Sequence, residues 1–144
     1  MAVLKINTGT ITLDVERDGE IVGKFKFNPQ DVLERERLIN LQNAIVSLEA
    51  EYTSKTDKFN SLTPETMTVA TQMELTALEK TYLQQIQAQI DLCWGDGSCE
   101  MLFGNNLNGE AVLSFIEQVI EYYQKASEEK TKRLIAEAKK AKHK

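Results

Sequence analysis

The chain has 144 residues, of which 42% are hydrophobic, and a formal net charge of −5. This length and apolar content predict one domain of ordinary size with a real core. No apolar run approaches the length of a membrane span, and we expect no membrane partner. The first residues lack the pattern of a signal peptide, which favours a cytosolic protein with reduced cysteines.

Charge is unevenly distributed along the chain. Residues 125–144 carry a net charge of +5, and residues 1–124 carry a net charge of −10. The acidic body argues against nucleic-acid binding by that part of the chain. The basic end could contact RNA or an anionic surface on its own. A solvated helix end is the favoured interpretation, because this segment has no aromatic residues for stacking.

A small antiparallel sheet is predicted for residues 1–27. Residues 3–6 are a short β-type run, and residues 11–15 alternate apolar and polar side chains. Asp18-Gly19 is a hairpin turn signal, after which residues 21–27 continue the alternation. The result is a sheet with one apolar face that is too small to be stable alone.

A long helix is predicted for residues 29–58. Asn28 is a candidate cap, Pro29 suits the first turn, and Asp31 complements the helix dipole. Apolar residues then recur at heptad spacing, opposite a polar face. The apolar seam is Leu38, Leu41, Ile45, Leu48, Tyr52 and Phe59, and the polar face holds Glu34, Arg35, Gln42, Glu49 and Lys55. This seam could pair with another chain, but packing within the chain is the simpler and favoured interpretation.

A second helix is predicted after Thr63-Pro64-Glu65, with Thr63 as its cap and an end near Ile90 or Trp94. Its apolar stripe is Leu75, Leu78, Tyr82, Ile86 and Ile90, joined by Val69, Met73 and Leu83. Two long helices joined by a short turn predict an antiparallel hairpin. Met67, Met73 and Met101 could form an adaptable binding surface, but core filling is the favoured role for Met73.

A short apolar link and a third helix complete the chain. Gly95-Asp96-Gly97 ends the second helix, residues 98–103 form about one helical turn, and residues 104–109 form another break. The third helix is marked by Val112, Phe115, Ile116, Val119, Ile120 and Tyr123. We therefore predict a mainly α chain with a small N-terminal antiparallel β-sheet (α+β). Its segments are a sheet (1–27), a helical body (28–124) and a basic helical extension or disordered tail (125–144).

No catalytic, cofactor-binding or metal-binding residue is predicted, and we expect no enzyme. The only histidine, His143, stands one residue from the end of the chain, where no neighbour holds it as a general base. Cys93 and Cys99 have the wrong spacing for a zinc site. We expect Cys93 to be a small core residue and Cys99 to be half-buried. A calcium loop around Asp96 fails at three ligand positions.

Several short motifs stand in a distinctive order. They are Lys-Phe-Lys-Phe-Asn-Pro (24–29), Trp-Gly-Asp-Gly (94–97), Leu-Phe-Gly (102–104) and a Lys-rich end. This order resembles the tail assembly chaperones of long-tailed bacteriophages and prophages of Gram-positive bacteria. The family pattern is Phe-Gly-x-Gly followed by Phe-Gly. Trp94 departs from it but keeps a large aromatic side chain.

The resemblance implies a non-enzymatic role in phage tail assembly. Such chaperones bind the tape-measure protein, help to recruit tail tube protein, act in the host bacterial cytoplasm and are absent from the mature virion. A programmed ribosomal frameshift often produces a longer second form. We also expect a homo-oligomer, since coating a long client takes many copies. The alternative is a small structural virion protein, such as a head–tail connector or tail-completion protein.

Four residues of the aromatic link are candidates for partner binding: Trp94, Met101, Leu102 and Phe103. In the alternative interpretation, which we favour, these residues plug the end of the helical bundle. Large aromatic residues next to turns are usually packed in a core, whereas a client contact must be exposed to the partner.

Overall fold

A computed structural model describes residues 2–142 of the protein. Two strands, β1 (Ile11–Arg17) and β2 (Glu20–Phe27), precede the helices. The helices are α1 (Val32–Thr56), α2 (Val69–Trp94), α3 (Ser98–Phe103) and α4 (Gly109–Lys142), with a 3₁₀ turn at Asp57–Phe59 after α1. The predicted mainly α architecture with a small N-terminal antiparallel sheet is confirmed.

The chain forms two compact units. Unit one comprises the residues up to Glu36 and those from Glu110 onward, and unit two is Arg37–Gly109. The boundaries therefore fall inside α1 and at the start of α4. They differ from the predicted segments 1–27, 28–124 and 125–144, because the first turn of α1 and nearly all of α4 belong with the strands.

The β-hairpin of unit one follows the predicted alternation. Ile11 pairs with Phe27 and Leu13 with Phe25, so the apolar residues of both strands share one face. The two-residue turn has positive φ at both positions, 53° at Asp18 and 85° at Gly19. A type I′ turn requires these angles, and its twist matches that of the flanking strands.

The predicted β-run at residues 3–6 is wrong for the single chain. Residues 2–10 form no strand, and the side chains of Val3, Leu4 and Ile6 are 75%, 87% and 73% exposed. The side chain of Asn28 donates to the Thr8 carbonyl over 2.8 Å, at the end of β2. This contact holds Thr8 beside the end of β2. Residues 2–7, which precede it, are here called the N-terminal arm.

Aromatic rings fill the core of unit one. The ring centroid of Phe25 lies 5.3 Å from that of Phe115 in an edge-to-face contact. The Phe27 ring lies 5.3 Å from Tyr122 and 5.9 Å from Tyr123. Phe25 and Phe27 come from β2, and the other three residues come from α4. The sheet that is too small to stand alone is thus stabilised by burying its apolar face against α4.

Glu34 is buried, which contradicts its predicted place on the polar face of α1. Only 8% of the residue is exposed. Its Oε1 accepts hydrogen bonds from the Tyr123 hydroxyl and from the backbone N–H of Asn28, the latter over 2.8 Å. Glu34 precedes Leu38 by four residues, so it lies on the same face of α1 as the apolar seam. The two donors offset the cost of burying this carboxyl group.

The start of α1 also differs from the prediction. Asp31 caps the helix, since its Oδ1 accepts from the backbone N–H of Leu33 over 2.9 Å. The Asn28 side chain instead accepts from the Gln30 N–H over 2.9 Å and forms a turn before the helix. Asn28 and Asp31 are both of capping type and stand three positions apart in the sequence. The prediction of Asn28 as the helix cap is therefore wrong.

The predicted antiparallel helical hairpin is confirmed in unit two. The Arg37 Nε donates to the Cys93 carbonyl over 3.0 Å, near the start of α1 and the end of α2. The Tyr52 and Tyr82 rings stack with centroids 4.6 Å apart, and Lys58 and Glu74 form an ion pair at the far end. Burial raises the pKa of both tyrosines above its ordinary value, with nearby Glu79 and Glu49 adding to the effect. The heptad seam of α1 therefore has a partner within the chain.

The start of α2 lies later than predicted. Thr68 is its cap, with a hydroxyl that accepts from the Thr71 N–H over 3.1 Å, while Thr63 belongs to a separate turn. Val69 and Met73 are 73% and 68% exposed, so their predicted places on the buried stripe are wrong. Leu83, Ile86 and Ile90 are buried as predicted.

The basic end of the chain is helical as far as the structure describes it. The helix α4 continues to Lys142, and its residues 127–142 are all exposed. Among the described residues, no helix has both the length and the apolar character that a membrane-spanning segment needs. The prediction about His143 concerns a residue outside the described range.

Candidate functional site

Two of the motifs that carry the resemblance, residues 94–97 and 102–104, lie in one corner of unit two, here called the α2–α3 corner (residues 91–104). The motif at residues 24–29 belongs to unit one. The helix α2 ends at Trp94, and α3 begins three residues after Gly95. The Asp91 carbonyl accepts from the Gly95 N–H over 2.7 Å, and the Asp91 Oδ1 accepts from the Cys99 N–H over 2.9 Å. Asp91 therefore joins the last turn of α2 to the first turn of α3.

Two glycines allow this change of direction. Gly95 has φ 114° and Gly97 has φ 86°, in the region that side chains disfavour. The Ser98 hydroxyl donates to the Gly95 carbonyl over 2.7 Å and completes the turn. The Trp-Gly-Asp-Gly motif thus has a structural explanation, because its glycines occupy backbone conformations that few other residues adopt.

Both cysteines are buried in unit two. Cys93 is 3% exposed, which confirms its predicted role as a small core residue. Cys99 is 5% exposed, so the prediction of half-burial is wrong. Its thiol donates to the Gln87 carbonyl over 3.2 Å, which draws it onto α2. The two cysteines form no disulfide bond with each other.

The environment of Cys99 makes its thiol a poor nucleophile. Burial, together with the nearby Asp91 carboxyl group, raises the pKa of Cys99 from 9.0 to about 12. The thiolate is the reactive form of cysteine, and it is scarce at neutral pH in such a site. The corner therefore disfavours thiol chemistry.

The four candidate partner-binding residues divide into two pairs. Leu102 and Phe103 are buried, at 8% and 7% exposure, and belong to the core of unit two. This burial is what the alternative role as a bundle plug requires of them. Trp94 and Met101 are half-buried and present part of their surface at the outside of the corner. A client contact at Trp94 and Met101 stays a prediction.

The sequence did not predict several other exposed apolar residues of unit two. Ile39 and Val46 are 56% and 66% exposed on α1, and Leu92 is 71% exposed on α2. Ile39 and Val46 stand seven residues apart, so they lie on one face of the helix. Heptad spacing was the available signal, but the stronger seam through Leu38 and Leu41 obscured it.

Within residues 2–142, no group of three or more His, Cys, Asp or Glu side chains is arranged to hold a metal ion.

Comparison with known proteins gives no relative: the chain matches no protein-family model, no curated protein and no solved structure.

Proposed function

We propose that this protein is a phage tail assembly chaperone that binds the tape-measure protein and assists tail tube assembly. It would act in the host bacterial cytoplasm and be absent from the mature virion. The observation that carries the proposal is the motif order Trp94-Gly95-Asp96-Gly97 and Leu102-Phe103-Gly104. Both motifs lie in the hydrogen-bonded α2–α3 corner.

The exposed part of the corner suits an apolar helical client. Trp94 and Met101 are half-buried, so each combines a fixed base with an accessible surface. A tryptophan supplies a large contact area, and a methionine adapts its shape to different partners. An amphipathic helix of the tape-measure protein would lay its apolar face against these side chains.

The charge distribution supports the same role. The net charge of −10 over residues 1–124 opposes nonspecific precipitation of the chaperone. A protein that accompanies a long, aggregation-prone client needs this resistance to precipitation. The exposed basic half of α4 adds a surface of opposite charge on the same chain.

Co-expression tests the proposal. The tape-measure protein encoded in the same tail gene cluster would be produced with and without this chain, and its soluble fraction measured. We expect the tape-measure protein to become soluble and to co-purify with the chain. An equally insoluble tape-measure protein in both cases would contradict the proposal.

A matched pair of methionine variants locates the contact. Met101→Ala removes a half-buried side chain at the corner, and Met73→Ala removes a 68% exposed side chain near the start of α2. We expect Met101→Ala to lower co-purification of the tape-measure protein about tenfold and Met73→Ala to leave it unchanged. Equal effects would place the contact outside the corner.

A further inference from the structure

The N-terminal arm is the most exposed apolar segment of the described chain. Val3, Leu4 and Ile6 are 75%, 87% and 73% exposed, and the arm has the β-type pattern that led to its prediction as a strand. A run of large apolar side chains in water is costly and often marks an interaction site. The β-type run of the arm therefore has no partner strand among residues 2–142.

The sheet of unit one offers the missing partner. It has two strands, β1 and β2, and no third strand among residues 2–142 pairs with either outer edge. An open edge presents unpaired backbone N–H and C=O groups that readily accept another strand. Strand addition of this kind is a common mode of peptide recognition.

The root of the arm prevents it from pairing with its own sheet. The Thr8 carbonyl accepts from the Asn28 side chain, and the Gly9 backbone lies close to the Gln30 side chain. A hairpin back onto β1 would break these contacts. The arm's six residues span about 20 Å when extended, which is enough to reach a neighbouring molecule.

We propose that the arm of one copy adds as a third strand to the outer edge of β1 in a second copy of this chain. Leu4 and Ile6 lie on one side of an extended strand, and Lys5 lies on the other. In this arrangement Leu4 and Ile6 extend the apolar face of the sheet, and Lys5 joins its polar face.

Charge selects β1 over β2 as the receiving strand. The polar face of β1 carries Asp14 and Glu16, whereas that of β2 carries Lys24 and Lys26. Asp14 pairs with Lys24 over 3.0 Å, and both side chains are more than half exposed. Lys5 would meet carboxylates beside β1 and ammonium groups beside β2. This contact surface is independent of the proposed client, so it stands or falls separately from the chaperone role.

Sedimentation velocity over a range of concentrations tests the proposal on the full chain with a C-terminal tag. We expect self-association of the wild type and its loss when residues 2–7 are deleted. The double variant Leu4→Ser/Ile6→Ser should raise the dissociation constant of self-association at least about tenfold, because it removes the two apolar side chains that become buried on association. Val3→Ser is the matched control on the other side of the strand and should change it less than about twofold.

Charge reversal identifies the edge. Lys5→Glu should weaken self-association about two- to fivefold, and adding Glu16→Lys should restore it. Circular dichroism would verify that each variant keeps its fold. A wild type that stays monomeric, an arm deletion that associates normally, or equal effects of Val3→Ser and Leu4→Ser/Ile6→Ser would overturn the proposal. Tighter association of Lys5→Glu would overturn the assignment to β1.

Discussion

Removing one hydroxyl group from unit one tests the role of the buried Glu34. In Tyr123→Phe, the Glu34 Oε1 loses the hydroxyl donor and keeps the N–H of Asn28. The ring can keep its place 5.9 Å from Phe27, so no large cavity forms. The expected cost is that of a buried acceptor left short of a partner, about 1–3 kcal/mol.

Urea denaturation followed by circular dichroism measures this cost. For a chain of this size, the loss corresponds to a fall in Tm of about 3–9 °C. Tyr122→Phe is the matched control, since Tyr122 contacts the same Phe27 ring but takes no part in the Glu34 pair. We expect that variant to lie within about 0.5 kcal/mol of the wild type.

A double-mutant cycle with Glu34→Gln separates the pair from its surroundings. We expect a coupling energy of about 1–2 kcal/mol between positions 34 and 123, in the range found for residues in contact. A Tyr123→Phe variant as stable as the wild type, or a coupling energy near zero, would refute the claim that this hydrogen bond compensates for the burial of Glu34.

Three further predictions concern the corner and the hairpin turn. At pH 8 the thiolate fraction of Cys99 should be about a thousandfold below that of a thiol of pKa 9.0. In the variant Cys93→Ser, iodoacetamide should therefore label Cys99 only near pH 12 or after unfolding. Labelling of Cys99 at the rate of free cysteine would contradict its burial. Trp94→Ala should stay folded and lose binding of the tape-measure protein. Its free energy of unfolding in urea should fall by about 2 kcal/mol, because the ring is only half-buried. Intact stability with intact binding would exclude both proposed roles of this residue. Gly19→Ala should lower the free energy of unfolding, measured by thermal denaturation, by about 1 kcal/mol, since φ at this position is 85° and the space around the residue is open. An unchanged stability would argue against the type I′ turn.

The elements that the sequence predicts well are those with a strong local signal. The hairpin follows from alternating side chains around Asp18-Gly19, and α3 follows from an apolar run between glycines. Both signals act over a few residues, so no distant partner is needed to interpret them. The antiparallel helical hairpin is similarly predicted from two apolar seams, one on each helix, because each seam needs another apolar surface to cover it.

The errors arise where neighbours in space decide the outcome. Glu34 is polar by type, yet the Tyr123 hydroxyl, 89 residues away, makes its burial possible. Val69 and Met73 fit the helical period of α2 but lie on its exposed first turns. The β-type run at residues 3–6 lacks a partner strand in the single chain. Periodicity describes which residues share a face, but it does not show what covers that face.

The chaperone role is tested most directly by affinity purification of the C-terminally tagged chain from cells that are assembling the phage tail, together with mass spectrometry of purified particles. We predict that the tape-measure protein co-purifies with the chain and that the finished particles lack the chain. Recovery of head or connector proteins in place of the tape-measure protein, with the chain present in the particles, would contradict this role and favour a structural virion protein.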